Sequence, residues 1–357
     1  MKLVIIANAP LSVWRGVEQF VDHVATDFVN RGMKVEVFTR TSNLNDELAW
    51  ARSRTFNYRY KCLKLQSLVY NISASPLTYN LIFPKDADAY YVTFLDPVFL
   101  SFLSLVRRPV MLGLHGVTDI NGRGLKILKP VLGTFRNSLI IQALNRAQER
   151  FFRRLGYKVV HIPLAVPVEK LVPALEANKD FSVWFPSMER SKGADRLIEL
   201  ARLSKSRLPG VRYLVTGSGN LEEEVRLASK QLGNITVMAK LSEDQLVKVY
   251  ARSSLFLCLS RSESFSLAAA EAQANGLPAI ATPTDGLRDI ITDNSLGVLM
   301  DYDANRYLEI IGQYHELWKS SRKKYIQIKE TIAAKQRTRL SWNAMLDRLE
   351  SSLLNLS

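Results

Sequence analysis

Two glutamates stand eight residues apart in the stretch S-R-S-E-S-F-S-L-A-A-A-E-A-Q-A-N-G-L-P-A-I-A-T, residues 260–282. Glu271 sits in a run of strong helix formers, Leu267 to Ala274. Its neighbours three and four positions away are Leu267, Ala268, Ala274 and Asn275. None is a cation, so no ion pair within the helix supports the carboxylate. A small-residue helix packed on a sheet is expected to turn such a group toward a ligand; a solvated helix face is the plainer alternative. Glu263 weighs toward the ligand. It follows Leu255 to Leu259, an apolar run of buried-strand type, and open α/β sheets bind ligands at the carboxyl ends of their strands. The amides of Ser266 and Leu267 open the helix and attract an anion. Asn275-Gly276 caps its end, and Pro278 leaves only an extended exit into the strand Ala279 to Ala281.

Other candidates share this position after a strand. His115 follows Pro109 to Leu114 and precedes glycine. A neutral imidazole there can bond a ligand hydroxyl, with a purely structural histidine as the alternative. Lys192-Gly193 precedes an amphipathic helix, and Arg190 lies just before it. Gly16 opens a helix of about Val17 to Arg31, as a simple turn or as a point of ligand approach, and Arg15 beside it could meet an anionic ligand. Asp119 is a weaker candidate for ligand contact. Asp86-Ala87-Asp88 reads as turn chemistry rather than a metal motif.

Strand-helix-strand units position these residues. Leu3 to Ala7, the helix after Gly16 and Val35 to Thr39 form one; Phe181 to Phe185 begins a second series. Further strands are expected at Ala89 to Thr93, Lys158 to Ile162, Val211 to Thr216 and Asn234 to Met238. Thr282 to Arg288 reads as a loop, and Ser242 with Gln245 as a capping box. Residues 41–85 carry few signals.

The chain has 357 residues, enough for two domains, and a formal net charge of +14. Residues 1–177 hold 23 Lys+Arg against 13 Asp+Glu, the remainder 25 against 21. Residues 123–158 are the most basic, with Glu149 alone opposing and apolar residues interleaved. Exposed, that mixture would make an interfacial segment on an anionic membrane; the alternative is an ordinary helix with its apolar face in the core. A nucleic-acid surface lacks any recognition motif. Cys62 and Cys258 have no metal-ligand spacing and read as reduced thiols. The N-terminus reads as a first strand rather than a signal peptide, and no apolar run approaches the length of a spanning helix.

Residues 255–282 closely resemble the donor-site signature of retaining GT-B glycosyltransferases, especially glycosyltransferase family 4. Residues 15–40, 185–200 and the closing L-G-V-L-M-D-Y-D-A-N-R-Y-L-E-I-I resemble it too. The resemblance implies a GT-B fold: two Rossmann-like α/β domains facing across a cleft. Residues 1–164 with 338–357 would bind the acceptor and residues 165–337 the nucleotide-sugar. It implies that Glu263 and His115 act at the transferred sugar and that Glu271 binds ribose hydroxyls. Lys192 would bind the diphosphate, helped by Arg190, with Gly16, Phe265, Ser266 and Leu267 around the donor and Met238 against its base. Ser187 stands where the family has a diphosphate-binding arginine, Ser264 and Ser266 where it usually has glycines, Arg15 in place of the first glycine of its N-terminal pair, and Asp285 in place of a first glycine.

The expected function is transfer of a sugar, with retention, from a UDP- or GDP-linked donor to a glycan or lipid-linked acceptor in cell-surface glycan synthesis. No metal or other cofactor is required. The expected place is cytoplasmic, peripheral on the inner face of the cell membrane, through residues 123–158. A non-catalytic homologue binding glycan or membrane, and a sugar-nucleotide epimerase, are the alternatives.

Overall fold

Runs such as Leu3–Ile6 and Leu255–Cys258 are buried at every position, the pattern of strands covered on both faces. In the computed structural model they are central strands of two separate parallel sheets. The structure describes all residues except 10, 14–15, 42–43, 65–83, 106, 117–129, 136–137, 169–179, 239–240 and 356–357. The chain divides into two units, Met1–Pro163 with Leu346–Ser357, and Leu164–Met345.

The first unit holds β1 (Lys2–Ile6), β2 (Lys34–Thr41), β3 (Arg59–Lys64), β4 (Ala89–Val92), β5 (Val110–Gly113), β6 (Leu139–Ala143) and β7 (Val159–His161). Their order is β3-β2-β1-β4-β5-β6-β7, with Ile6 opposite Phe38 on one side and Val92 on the other. The helix Gly16–Asn30 buries Phe20, Val21, Val24 and Phe28. Its Arg31 donates to Asp347 Oδ1 at 2.6 Å and Glu350 Oε2 at 2.8 Å, which ties down the C-terminal helix segment. Lys2 spans Asp86 and Asp88: its Nζ donates to Asp86 and its amide to Asp88, each at 2.7 Å. The Asp-Ala-Asp stretch lies in a turn, as expected, with the Ala87 amide on the Pro84 carbonyl, and it also anchors the first strand.

The second unit holds β8 (Ser182–Phe185), β9 (Arg212–Val215), β10 (Ile235–Val237), β11 (Leu255–Cys258), β12 (Ala279–Ala281) and β13 (Gly297–Leu299), in the order β10-β9-β8-β11-β12-β13. The chain leaves β8 toward β9 on one side and returns to β11 on the other, so the crevice at the ends of β8 and β11 is the ligand position of a doubly wound sheet. The expected capping box is present, with Ser242 and Gln245 bonded reciprocally. Where a loop was expected after Thr282, residues Asp285–Ile290 form a short helix. Leu287 and Ile290, three apart and both fully buried, hold it against the core.

Burial removes the expected exposed apolar surface from the described part of residues 123–158; Leu125, Ile127 and Leu128 lie outside the described residues. Leu132, Phe135, Leu139, Ile140, Ile141, Leu144 and Phe152 lie in the core at 4% exposure or less. Leu139, Ile140 and Ile141 belong to β6 and Phe152 to the inner face of the helix Arg146–Arg154, not to an exposed apolar surface. Arg146, Arg150, Arg153, Arg154 and Lys158 are exposed; Arg123, Lys126, Lys129 and Arg136 lie outside the described residues. Among the described residues no helix is long and apolar enough to cross a membrane.

Candidate active site

Two strand-end loops of the second unit bring a cation and a carboxylate together. After β8 the chain makes the turn Arg190–Lys192 and enters the helix Ala194–Arg207 through Gly193. Gly193 has φ +87°, and a Cβ there would lie 2.4 Å from the Leu259 carbonyl oxygen, so only glycine allows the two loops to approach. Across that approach Lys192 Nζ donates to Glu263 Oε1 at 2.8 Å. Ser260 Oγ donates to the same oxygen at 2.8 Å, and the Ser260 carbonyl accepts from Thr282 Oγ1. Glu263 Oε1 thus takes two donors, and its side chain is 10% exposed.

A clasp beside this pair joins the same loops. The Arg261 amide donates to the Ser191 carbonyl, and its guanidinium donates to both oxygens of Asp195 at 2.7 and 3.0 Å. The Arg261 hydrogen bond outweighs the opposing effect of burial and holds the Asp195 carboxyl below its ordinary range. Arg190, expected at the donor diphosphate, has its guanidinium 3.5 Å from Asp195 and is more than half exposed. The structure therefore pairs it with this clasp rather than with Lys192 and Glu263. Ser187 offers no cation; its hydroxyl accepts from the Glu189 amide.

The loop then reaches Phe265, which is buried, and Ser266, the N-cap of the helix Leu267–Ala274. Ser266 has φ +95°, and its Oγ accepts from the Ala269 amide at 3.4 Å. Gly286 supports the loop from beneath. Its amide donates to the Glu263 carbonyl, and a Cβ there would lie 2.5 Å from the Phe265 nitrogen. Leu267 follows, partly exposed, as the first helical residue. Glu271 lies on the same helix, part-buried, and its Oε2 accepts from Tyr250 OH at 2.5 Å. No ion pair within the helix was expected, but Tyr250, packed edge-on to Trp184, supplies a tertiary donor. The helix is held from behind by buried amides: Gln273 donates to the Leu277 and Leu296 carbonyls, and Gln336 donates to Gln273 Oε1 and the Ile290 carbonyl. Met238 follows β10, two strands from β8, with its amide on the Val215 carbonyl.

The first unit places His115 directly after β5, 6% exposed. Its Nε2 lies 2.9 Å from Tyr91 OH on β4, and Tyr91 OH donates to Gln142 Oε1 on β6 at 2.6 Å. Burial lowers the His115 pKa to about 3, so the ring is neutral in ordinary buffers. Phe20, on the helix that Gly16 opens, packs against His115 with ring centroids 4.9 Å apart. Arg15 and Asp119 lie outside the described residues.

Sequence reasoning missed Tyr91, Gln142, Tyr250, Ser260 and Gly286. One signal was available: Gln142 is a polar residue inside the otherwise apolar run Leu-Ile-Ile-Gln-Ala. A buried amide in a central strand must find partners.

Known proteins resemble this chain in sequence and in fold. Residues 170–331 match the family described as "Glycosyl transferases group 1". The chain is 34% identical over 192 residues to D-inositol 3-phosphate glycosyltransferase of Segniliparus rotundus, covering 50% of this chain and 40% of that protein. It is 32% identical over 164 residues to the protein of that name from Mycolicibacterium smegmatis, covering 43% and 37%. The matches thus span about two fifths of the length of these relatives. Among solved structures, Anabaena HepE in complex with UDP superposes with a TM-score of 0.78 at 16% identity, over 99% of this chain and 100% of that one. Sucrose-phosphate synthase from Thermosynechococcus elongatus gives 0.75 at 15% identity over the whole of both chains. The chain has the GT-B fold, and the part of its second unit that matches the group 1 glycosyl transferases, residues 170–331, includes Lys192, Glu263 and Glu271.

Proposed function

We propose that the protein is a retaining glycosyltransferase that moves a sugar from a nucleotide-diphospho-sugar to a glycan or lipid-linked acceptor. The observation that carries this reading is the Lys192–Glu263 contact at the crevice between β8 and β11. When the bond between the sugar and the diphosphate breaks, negative charge develops on the leaving phosphate oxygen. Lys192 and the amides that open the helix Leu267–Ala274 stabilise that charge, a task that needs no resident metal. Glu263 steadies the sugar, and Glu271 takes the ribose hydroxyls with Tyr250 fixing its carboxylate. His115 offers a neutral nitrogen to a sugar hydroxyl. HepE has been solved with UDP and with UDP-glucose, which favours a UDP-linked donor.

The acceptor side rests on charge. Arg146, Arg150 and Arg154 recur every fourth residue and so share one face of their helix. That face suits an anionic acceptor or an anionic membrane surface on the cytoplasmic side. With the neighbouring apolar residues buried, such docking is electrostatic and weakens with salt.

The test is thermal stability with UDP-, GDP- and ADP-sugars, on wild type and on Glu271→Ala. A ligand at about a hundred times its dissociation constant stabilises by about 2.7 kcal/mol. A shift with one base, lost in Glu271→Ala, supports the donor site. No shift with any of them favours a non-catalytic homologue, for which Ser187 in place of a phosphate-binding cation is the specific motive. Conversion of the donor to a second nucleotide-sugar without acceptor would favour an epimerase.

A further inference from the structure

Hydrogen-bond bookkeeping around His115 determines which of its nitrogens carries the proton. Gln142 Nε2 donates to the Ile162 carbonyl at 2.9 Å, so its amide oxygen is the end turned to Tyr91. Tyr91 OH spends its only proton on that oxygen at 2.6 Å. Its oxygen can then only accept, and the group 2.9 Å away is His115 Nε2. His115 must therefore donate from Nε2, which leaves Nδ1 with a lone pair. Nδ1 is buried and has no hydrogen-bond partner among the described residues. Gly113 keeps the network tight: a Cβ there would lie 2.7 Å from His115 Cδ2, 2.8 Å from Nε2 and 3.0 Å from Gln142 Oε1. The Cδ2–Nε2 edge of the ring thus faces the network, and Nδ1 lies on the opposite edge.

We infer that Tyr91 and Gln142 are positioning residues that lock His115 in its Nε2–H tautomer, so that Nδ1 serves solely as an acceptor for a hydroxyl or N–H of the bound molecule. A buried acceptor with no partner is costly, and a ligand donor removes that cost. A carbonyl or phosphate oxygen placed there would meet a lone pair and be rejected. Burial keeps both ends of the relay in register, because the Tyr91 phenol is pushed well above its ordinary range and remains a donor. The identity of the donor group as a sugar hydroxyl rests on the glycosyltransferase reading; the tautomer does not.

The experiment is imidazole ¹⁵N NMR on the intact wild-type chain, whose four histidines are few enough to assign by substitution. Nitrogen shifts and two-bond couplings distinguish the two neutral tautomers without any ligand. The expected result is a His115 spectrum of pure Nε2–H type, unchanged from pH 5.5 to 8. Tyr91→Phe removes the acceptor from Nε2 and is expected to mix the tautomers or reverse them, with the melting temperature reported alongside. An Nδ1–H spectrum in wild type, or a titrating His115, overturns the proposal. So does a folded Tyr91→Phe protein that keeps the pure wild-type tautomer. Should Tyr91→Phe not fold, Gln142→Glu tests the same relay. Its carboxylate still accepts from Tyr91, so the wild-type tautomer must persist, and a changed one contradicts the relay. Failure here leaves the nucleotide-sugar binding test standing, and failure there leaves the tautomer standing.

Discussion

The two units use one sheet topology to build opposite kinds of site. Where β8 and β11 end, the groups are ionic and partly open, with Lys192 40% exposed over Glu263. Where β4, β5 and β6 lie side by side, the groups are neutral and closed, with His115 at 6% and Tyr91 and Gln142 fully buried. A part-exposed ion pair is screened and worth about 0–1 kcal/mol, so a cation can exchange its partner for a ligand phosphate at little cost. A buried polar network is the reverse: every bond is strengthened by the low dielectric, and any vacated one is expensive. The first arrangement suits charge that appears and departs during a reaction. The second suits reading a fixed pattern of hydrogen-bond donors.

Lys192→Ala should separate activity from stability most strongly. Loss of the cation is expected to lower kcat by about 10²–10³, the usual effect of removing one group that stabilises developing charge. Glu263 keeps Ser260 as a donor, so the melting temperature should move little. Turnover measured beside a melting curve decides it, and intact turnover would remove Lys192 from the chemistry.

The neutral site should reveal itself through pH. His115 has a folded pKa of about 3 against about 6.5 in an unfolded chain. Between these values the unfolded state binds more protons, so stability falls as pH drops below the unfolded value. At pH 5 the loss relative to pH 8 is about 2 kcal/mol from this residue alone. Urea midpoints at the two pH values should therefore differ less in His115→Asn than in wild type. Lys192→Ala should keep the full wild-type difference. Equal pH dependence in wild type and His115→Asn would show that the ring is not buried neutral.

Legibility in the sequence follows the range of the interactions. The helix Leu267–Ala274, its Asn275-Gly276 end and the strand Ala279–Ala281 are set by signals within a few residues, and each lies where expected. The apolar runs likewise announced most strands of both sheets. What could not be read were partners distant along the chain. Tyr250 meets Glu271 across 21 residues, Arg261 meets Asp195 across 66, and Tyr91 meets Gln142 across 51. Each contact exists only once the strand order is known. The basic segment shows the same limit, because the charge of Arg146 to Arg154 is local while the cover over Leu139, Ile141 and Phe152 is tertiary. Arg190 lies beside Asp195, a pairing that the sequence reading had not considered.

Ser266 offers the smallest effect and the finest test of how the ionic site is built. At φ +95° a non-glycine backbone costs about 1–3 kcal/mol. The same residue caps the helix with its hydroxyl, and replacing a serine cap by alanine costs about 1 kcal/mol, by glycine only a few tenths. Ser266→Ala keeps the strain and loses the cap, so it should destabilise by about 1 kcal/mol. Ser266→Gly relieves the strain at the expense of chain entropy of about 0.5–1 kcal/mol, leaving a net change from about zero to a gain of about 2 kcal/mol. Opposite signs from two small substitutions cannot arise from side-chain volume alone, since both remove the hydroxyl. Chemical denaturation of the pair is the measurement, and a Gly variant no more stable than the Ala variant would mean that the loop before the helix relaxes out of the left-handed region. The amides proposed to face the diphosphate would then be set by the ligand rather than by the fold.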